Sequence, residues 1–166
     1  IMPSLVGSEM CIRDRDQIAN FEIDNPVAKF PFSSRLKKEN KWSYEYTFRA
    51  ITEYKKFMYL AIISEKPVSP SYIIDQIWHL HLIYTESYWI EFCQNCLGKN
   101  IHHIPTNGGD SENTNYQDIY EQTLILYQKE FDEKVPIDIW NVTSEKMKNQ
   151  NFLYFYISKI KNIFSQ

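Results

Sequence analysis

The chain has 166 residues, 43% of them hydrophobic and 23% charged, with a formal net charge of −3. That length suits one ordinary domain able to bury a core, and mild acidity without a long basic block argues against nucleic-acid backbone binding. Three cysteines exclude a disulfide-dense scaffold.

In chain order, the run from Pro3 to Asp14, with Glu9-Met10-Cys11-Ile12-Arg13-Asp14 at its end, resembles a translated sequencing-library adapter. Ile1–Arg15 is therefore expected to be foreign and disordered, leaving Asp16–Gln166 as a single helical domain. Gly7, Ser8 and Glu9 break its apolar stretch, so it does not read as a signal peptide. With Cys11 set aside, Cys93 and Cys96 remain, which points to a reducing, cytoplasmic location.

From Asn25-Pro26 to Phe30-Pro31-Phe32 the chain reads as extended, after which Ser33 or Ser34 can cap a short helix through Glu39. Ser43 opens a long helix in which Tyr46, Ala50, Ile51, Tyr54, Phe57, Met58, Ala61 and Ile62 form an apolar stripe. Ser69 as cap and Pro70 at the first position start a helix reaching Tyr84. Thr85-Glu86 restarts it, and Gly98 ends the second segment. Residues 101–111 form a loop with Pro105, Gly108 and Gly109, followed by an amphipathic helix from Tyr116 to Phe131. Pro136 interrupts, and Thr143 or Ser144 caps a last helix through Phe164. Lys159 and Lys161 cut its apolar stretch short of the roughly 20 residues that cross a bilayer, so no membrane span is expected. The lysines at 37, 38 and 41 are interleaved with other residues and read as a solvated face. No alternating run supports a sheet. The expected fold is all-α: one compact bundle of about five or six helices with a histidine-bearing loop after a central hairpin.

The chemical signal is concentrated. All four histidines fall between His79 and His103, with Cys93 and Cys96 between the pairs, and imidazole and thiolate are what a borderline-soft ion such as zinc prefers. At about 100° per residue, Ile73, Ile74, Ile77, Leu80, His81 and Tyr84 share an apolar face. His79 lies nearly opposite, one turn after Asp75, whose carboxylate can fix its tautomer. His79 and His81 therefore cannot both reach one ion from an undistorted helix. On the next helix Trp89, Cys93 and Cys96 centre the apolar face, so antiparallel docking brings Cys93 towards either histidine. Pro105 makes Ile104 extended, and His102 and His103 then point oppositely, one of them inward.

Packing explains each residue singly: His81 as a hydrogen-bonded core histidine, His79–Asp75 as a surface pair, and the cysteines as small buried hydrophobes. Jointly they read either as a metal site or as a buried His–Asp–Tyr–Cys network without an ion.

Ser69-Pro70-Ser71, Asp75-x-x-Trp78-His79-x-His81-Leu82, Tyr88, Cys93, Gly98 and His102-His103-x-Pro105 together resemble the glycine-rich domain-containing protein-like family of plants and bacteria. Trp42, Tyr54, Phe57, Tyr120 and the Pro136–Trp140 stretch extend the resemblance over about residues 30–140. It implies a helical domain without an assigned activity, often attached to glycine-rich or membrane segments, with plant members associated with development and stress. This chain has only four glycines, so RNA binding attributed to a glycine-rich tail does not carry over. Cys93 lies inside the motif and Cys96 outside it. The expected metal is accordingly one zinc held by Cys93, His103 and one or both of His79 and His81, with Asp75 orienting an imidazole.

Three function classes follow. A non-enzymatic interaction module with an unidentified protein partner, stapled by zinc or by the polar network, fits best, and no catalytic residue is assigned. A metal-dependent hydrolase would need a carboxylate base, Asp75, Glu86 or Glu112, but Trp78-His79-Leu80-His81 lacks the His-Glu-x-x-His spacing. A Cys93 nucleophile with a histidine base is the third, although its apolar face makes the thiol look inert.

Overall fold

The computed structural model describes residues 14–104 and 110–140, with side chains in the last part from residue 117. The expected foreign segment as far as residue 13, Pro105, the loop glycines and the helix after Thr143 lie outside these residues. Asp14 and Arg15, set aside with that segment, are already helical in α1, residues 14–19. Ile18 of this helix is 2% exposed and belongs to the core, and Lys55 Nζ donates to Ala19 O at 3.0 Å.

Next comes α2, Phe32–Asn40, preceded by Pro31 in an extended conformation. The serine cap expected here is not formed. Ser33 sits inside the first turn and gives its N–H and hydroxyl to the Asp24 carboxylate at 2.7 and 2.5 Å. Helix α2 stops at Lys41, whose φ of 56° places a non-glycine residue in the left-handed region. Ser43 caps α3, Tyr44–Ile63, by accepting from Tyr46 N.

The cap of α4, Tyr72–Ile83, is Ser71 rather than Ser69. Ser71 Oγ accepts from Ile74 N at 3.2 Å and donates to Ile139 O at 2.7 Å. One hydroxyl thereby satisfies an orphan helical N–H and fixes a distant strap. The buried Ser69 hydroxyl has no hydrogen-bond partner.

After Tyr84 the chain does not resume an α-helix. Glu86–Leu97 is a π-helix ending at Gly98 with φ 66°. Bonding from i to i+5 widens the turn, and the buried residues become Tyr88, Phe92 and Cys93. Trp89 and Cys96, expected on the same central line, are only partly buried. Helix α5, Asp110–Phe131, begins six residues earlier than expected. A short α6, Ile137–Trp140, follows Pro136.

The architecture is an all-α bundle with no strand among the described residues. Its middle is α3, packed against α2, α4 and α5, while α4 also meets the π-helix and α6. The core of α3 follows the expected stripe at Ala50, Tyr54, Phe57 and Met58, all at 0% exposure, and adds Leu60, while Ala61 and Ile62 are only partly buried. At the far end a polar knot joins three helices. Buried Glu53 accepts from Trp140 Nε1 at 2.8 Å and pairs with Lys56 at 3.1 Å. Lys56 also meets Tyr127 Oη at 2.9 Å and the Glu133 carboxylate. Outside it, Arg49 grips Asp138 through two bonds of 2.9 Å. Among the described residues, no helix is long and apolar enough to cross a membrane.

Candidate metal centre and its buried neighbour

Helix α4 presents two chemistries on two faces. Its inner face carries His81, 0% exposed. Around that imidazole stand Phe21, Phe32, Tyr54, Tyr88 and Phe92, with ring centroids 5.2–6.2 Å away. The ring is polar at both ends: Nδ1 lies 2.9 Å from Tyr54 Oη and Nε2 lies 3.3 Å from Ser87 Oγ. Burial lowers its pKa to about 3, so the ring is neutral and its two nitrogens differ, one donating and one accepting. Burial also pushes the Tyr54 hydroxyl well above the usual phenol range.

Beside this ring a second relay runs from α4 to the loop. Trp78 Nε1 donates to Tyr88 Oη at 2.8 Å, and Tyr88 Oη donates to Ile101 O at 2.5 Å. Cys93, 0% exposed, adjoins the same groups. Burial raises its thiol pKa, against the pull of the Ile101 backbone and the Tyr88 hydroxyl. A buried thiol of this kind is a packing group rather than a nucleophile.

The outer face of α4 carries Asp75 and His79. His79 Nε2 lies 3.5 Å from Asp75 Oδ2 across one helical turn, and His103 Nε2 reaches the other oxygen, Oδ1, at 2.7 Å. Local helix geometry brings the first pair together; the loop delivers the third member. His103 is held edge-on to His79 at 4.5 Å and tilted against Trp78 at 4.5 Å. Its neighbour His102 turns the other way, exposed, and leans on Trp89 at 5.3 Å. One ligand atom each from Asp75, His79 and His103 lies within 4.8 Å of the others.

The sequence-derived ligand set is therefore divided. His79 and His103 meet, and Asp75, assigned to orient an imidazole from behind, stands between them as a direct ligand candidate. His81 and Cys93 do not join them: the former has both nitrogens engaged with Tyr54 and Ser87, and the latter faces Tyr88 and Ile101. Nothing in the local sequence marks Ser87, a serine at a helix start, as the partner of a histidine six residues earlier.

A family model matches residues 17–134, most of the described chain. The chain belongs to the UCP032817-like family. Every residue of the cluster and of the His81 network falls inside the UCP032817-like span, which runs from α1 to just before α6. No curated protein and no solved structure matches the chain.

Proposed function

We propose that this chain is a helical interaction module in which a divalent ion of the zinc class clips the Ile101–Ile104 segment to the α4 hairpin. The observation carrying this reading is the convergence of Asp75, His79 and His103 within 4.8 Å. Two imidazoles and one carboxylate suit zinc or a neighbouring transition ion better than calcium or magnesium, which take oxygen shells. Such an ion would replace the direct Asp75–His103 bond and couple loop order to metal loading. His81, Cys93 and their tyrosines form the polar network that shapes the hairpin beneath it. The resemblance to glycine-rich domain-containing proteins fits a module attached to other segments. Exposed Ile83 and Ile104, one turn beyond His79 and next to His103, offer apolar contacts to a protein partner. A reducing compartment such as the cytoplasm, in keeping with the free thiols Cys93 and Cys96, completes the reading.

One observation favours a metal-dependent hydrolase instead. The His79 side chain is 59% exposed, so an ion there keeps positions open to water. Against it, the group contains one carboxylate among the described residues, Asp75, and ligation would occupy it. Glu86 lines a different cavity, and the Glu112 side chain lies outside the described residues. The test is elemental analysis of protein purified without a histidine tag, with hydrogen exchange across residues 79–104 before and after chelation. One equivalent of bound ion, lost in His103→Ala, and faster exchange after chelation are expected. A metal-free protein that takes up no zinc and exchanges identically with chelator overturns the reading.

A further inference from the structure

A cavity of about 710 Å³ opens between the segment following α1 and the start of the π-helix, and Ser87 lies on its wall. Ser87 is partly buried, and behind its hydroxyl stands His81 Nε2 at 3.3 Å, with Tyr54 Oη 2.9 Å from Nδ1 on the far side of the ring. In the tautomer protonated at Nδ1, His81 donates to Tyr54 and leaves Nε2 to accept from Ser87. A hydroxyl on a cavity wall, an imidazole within reach of it, and a third group holding that imidazole from behind are the parts of an activated nucleophile. None of the three belongs to the Asp75–His79–His103 cluster. The cavity wall also carries Glu22, Asp24, Glu86 and Glu91 and, among the described residues, no lysine or arginine. Phe21, Phe30 and Tyr84 line it between them, with Lys38 Nζ 5.7 Å from the centre of the Phe30 ring and the Arg35 guanidinium 5.8 Å from that of Tyr84.

We propose that Ser87 is an acyl-accepting nucleophile with His81 as its base and Tyr54 as the positioning residue, acting on neutral or cationic esters admitted by this acidic, aromatic cavity. Ser87 Oγ attacks the ester carbonyl carbon while its proton passes to His81 Nε2. The tetrahedral adduct expels the alcohol, which takes that proton, and leaves an ester on Ser87. Water then attacks the acyl carbon, giving a proton to the same nitrogen; the bond from that carbon to Ser87 Oγ breaks, Oγ takes the proton from Nε2, and the carboxylic acid leaves. Tyrosine in place of a carboxylate stabilises the imidazolium less than in a Ser–His–Asp array, so turnover is slow and covalent trapping is the sensitive readout. The four carboxylates outnumber the Arg35 and Lys38 charges beside them and so favour an ammonium group over an anion, and the Phe21 ring offers the ammonium a further face.

The experiment treats the full chain with a fluorophosphonate, in which Ser87 Oγ displaces fluoride from phosphorus, and maps the adduct by peptide mass. The expected result is one adduct on Ser87, absent in Ser87→Ala and formed more slowly in His81→Gln, by less than the roughly hundredfold usual for a general base, because burial leaves His81 weakly basic. Hydrolysis of acetylthiocholine should exceed that of an anionic hemisuccinate ester by about tenfold, the lower end of what charge focusing in a cleft supplies. Chelator should leave labelling unchanged, which separates this site from the metal centre. No adduct, an adduct only at other residues, or a Ser87 adduct formed equally fast in folded His81→Gln overturns the proposal. If His81→Gln fails to fold, the peptide map and Ser87→Ala, a change at a partly exposed position, decide it.

Discussion

His79 and His81 are two positions apart yet live in different media, and that difference is measurable. His81 is neutral when folded, with its pKa lowered by burial to about 3, but in the unfolded chain it takes a proton near its usual value of about 6.5. The unfolded state therefore binds more protons as pH falls below that value, and stability drops on acidification until the folded pKa is reached. At pH 5 the loss from this residue alone is about 2 kcal/mol. Denaturant melts at pH 7 and pH 5 should display it, and the difference between the two should shrink by a comparable amount in His81→Gln. A variant as acid-sensitive as the parent would show that His81 is not the group responsible. Much at this scale was legible in the sequence. A 3.6-residue period alone places His81 on the buried face and pairs His79 with Asp75, because both facts are local. The bonds from His81 to Tyr54 and from His103 to Asp75 were not, since they join residues 27 and 28 positions apart, and no local pattern sets such distances.

Among the elements, helix stops were easier to read than helix starts. Gly98 is where the sequence places it, because a left-handed terminus without a side-chain penalty calls for glycine. Lys41 makes the same turn with a Cβ, φ 56°, and carries no such signal. The start of α4 lies two residues beyond the one the sequence indicates: Ser69 and Pro70 satisfy the usual rule, but Ser71 gains a second partner in Ile139 that lies 68 positions away. A wheel drawn at the α-helical period cannot register the wider π turn, so it places Trp89 and Cys96 too centrally. Gly98→Ala isolates backbone conformation from packing. An added Cβ meets nothing within 4 Å, yet φ is +66°, so a destabilisation of about 1 kcal/mol is expected from strain alone. Equilibrium urea unfolding measures it; an unchanged midpoint would mean that the π-helix does not depend on that terminus.

Across the whole molecule, α3 is the hub, and the periodic stripe that announced it also announced an all-α fold. The polar knot at its far end was invisible in the sequence. Glu53 reads as one surface acid among many, but Trp140 and Lys56 enclose it. Glu53→Gln leaves the volume nearly unchanged and removes the partner charge from Lys56. Breaking a buried pair in this way costs on the order of 3 kcal/mol, moderated here by Glu133, which still contacts Lys56. Thermal unfolding should register the loss, and exchange should rise first in α6, which is docked by this knot and by Asp138. A variant that melts with the parent would indicate that Glu53 is not an integral member of the knot.

The π-helix has one further consequence, and it concerns chain length. Loops absorb an inserted or deleted residue by changing path, and α-helical ends absorb one by fraying. Between Glu86 and Leu97 neither outlet exists, because both ends are anchored, Ser87 against His81 and Cys93 O against the N–H groups of Gly98 and Lys99. The remaining outlet is the winding itself. Removing one residue between Tyr88 and Cys93 would leave them four apart, which α-helical winding at about 100° per residue keeps on one face. Tyr88 could then still meet Trp78 and Cys93 still face Ile101, so this segment can shed a residue by tightening from π to α where an ordinary helix could not.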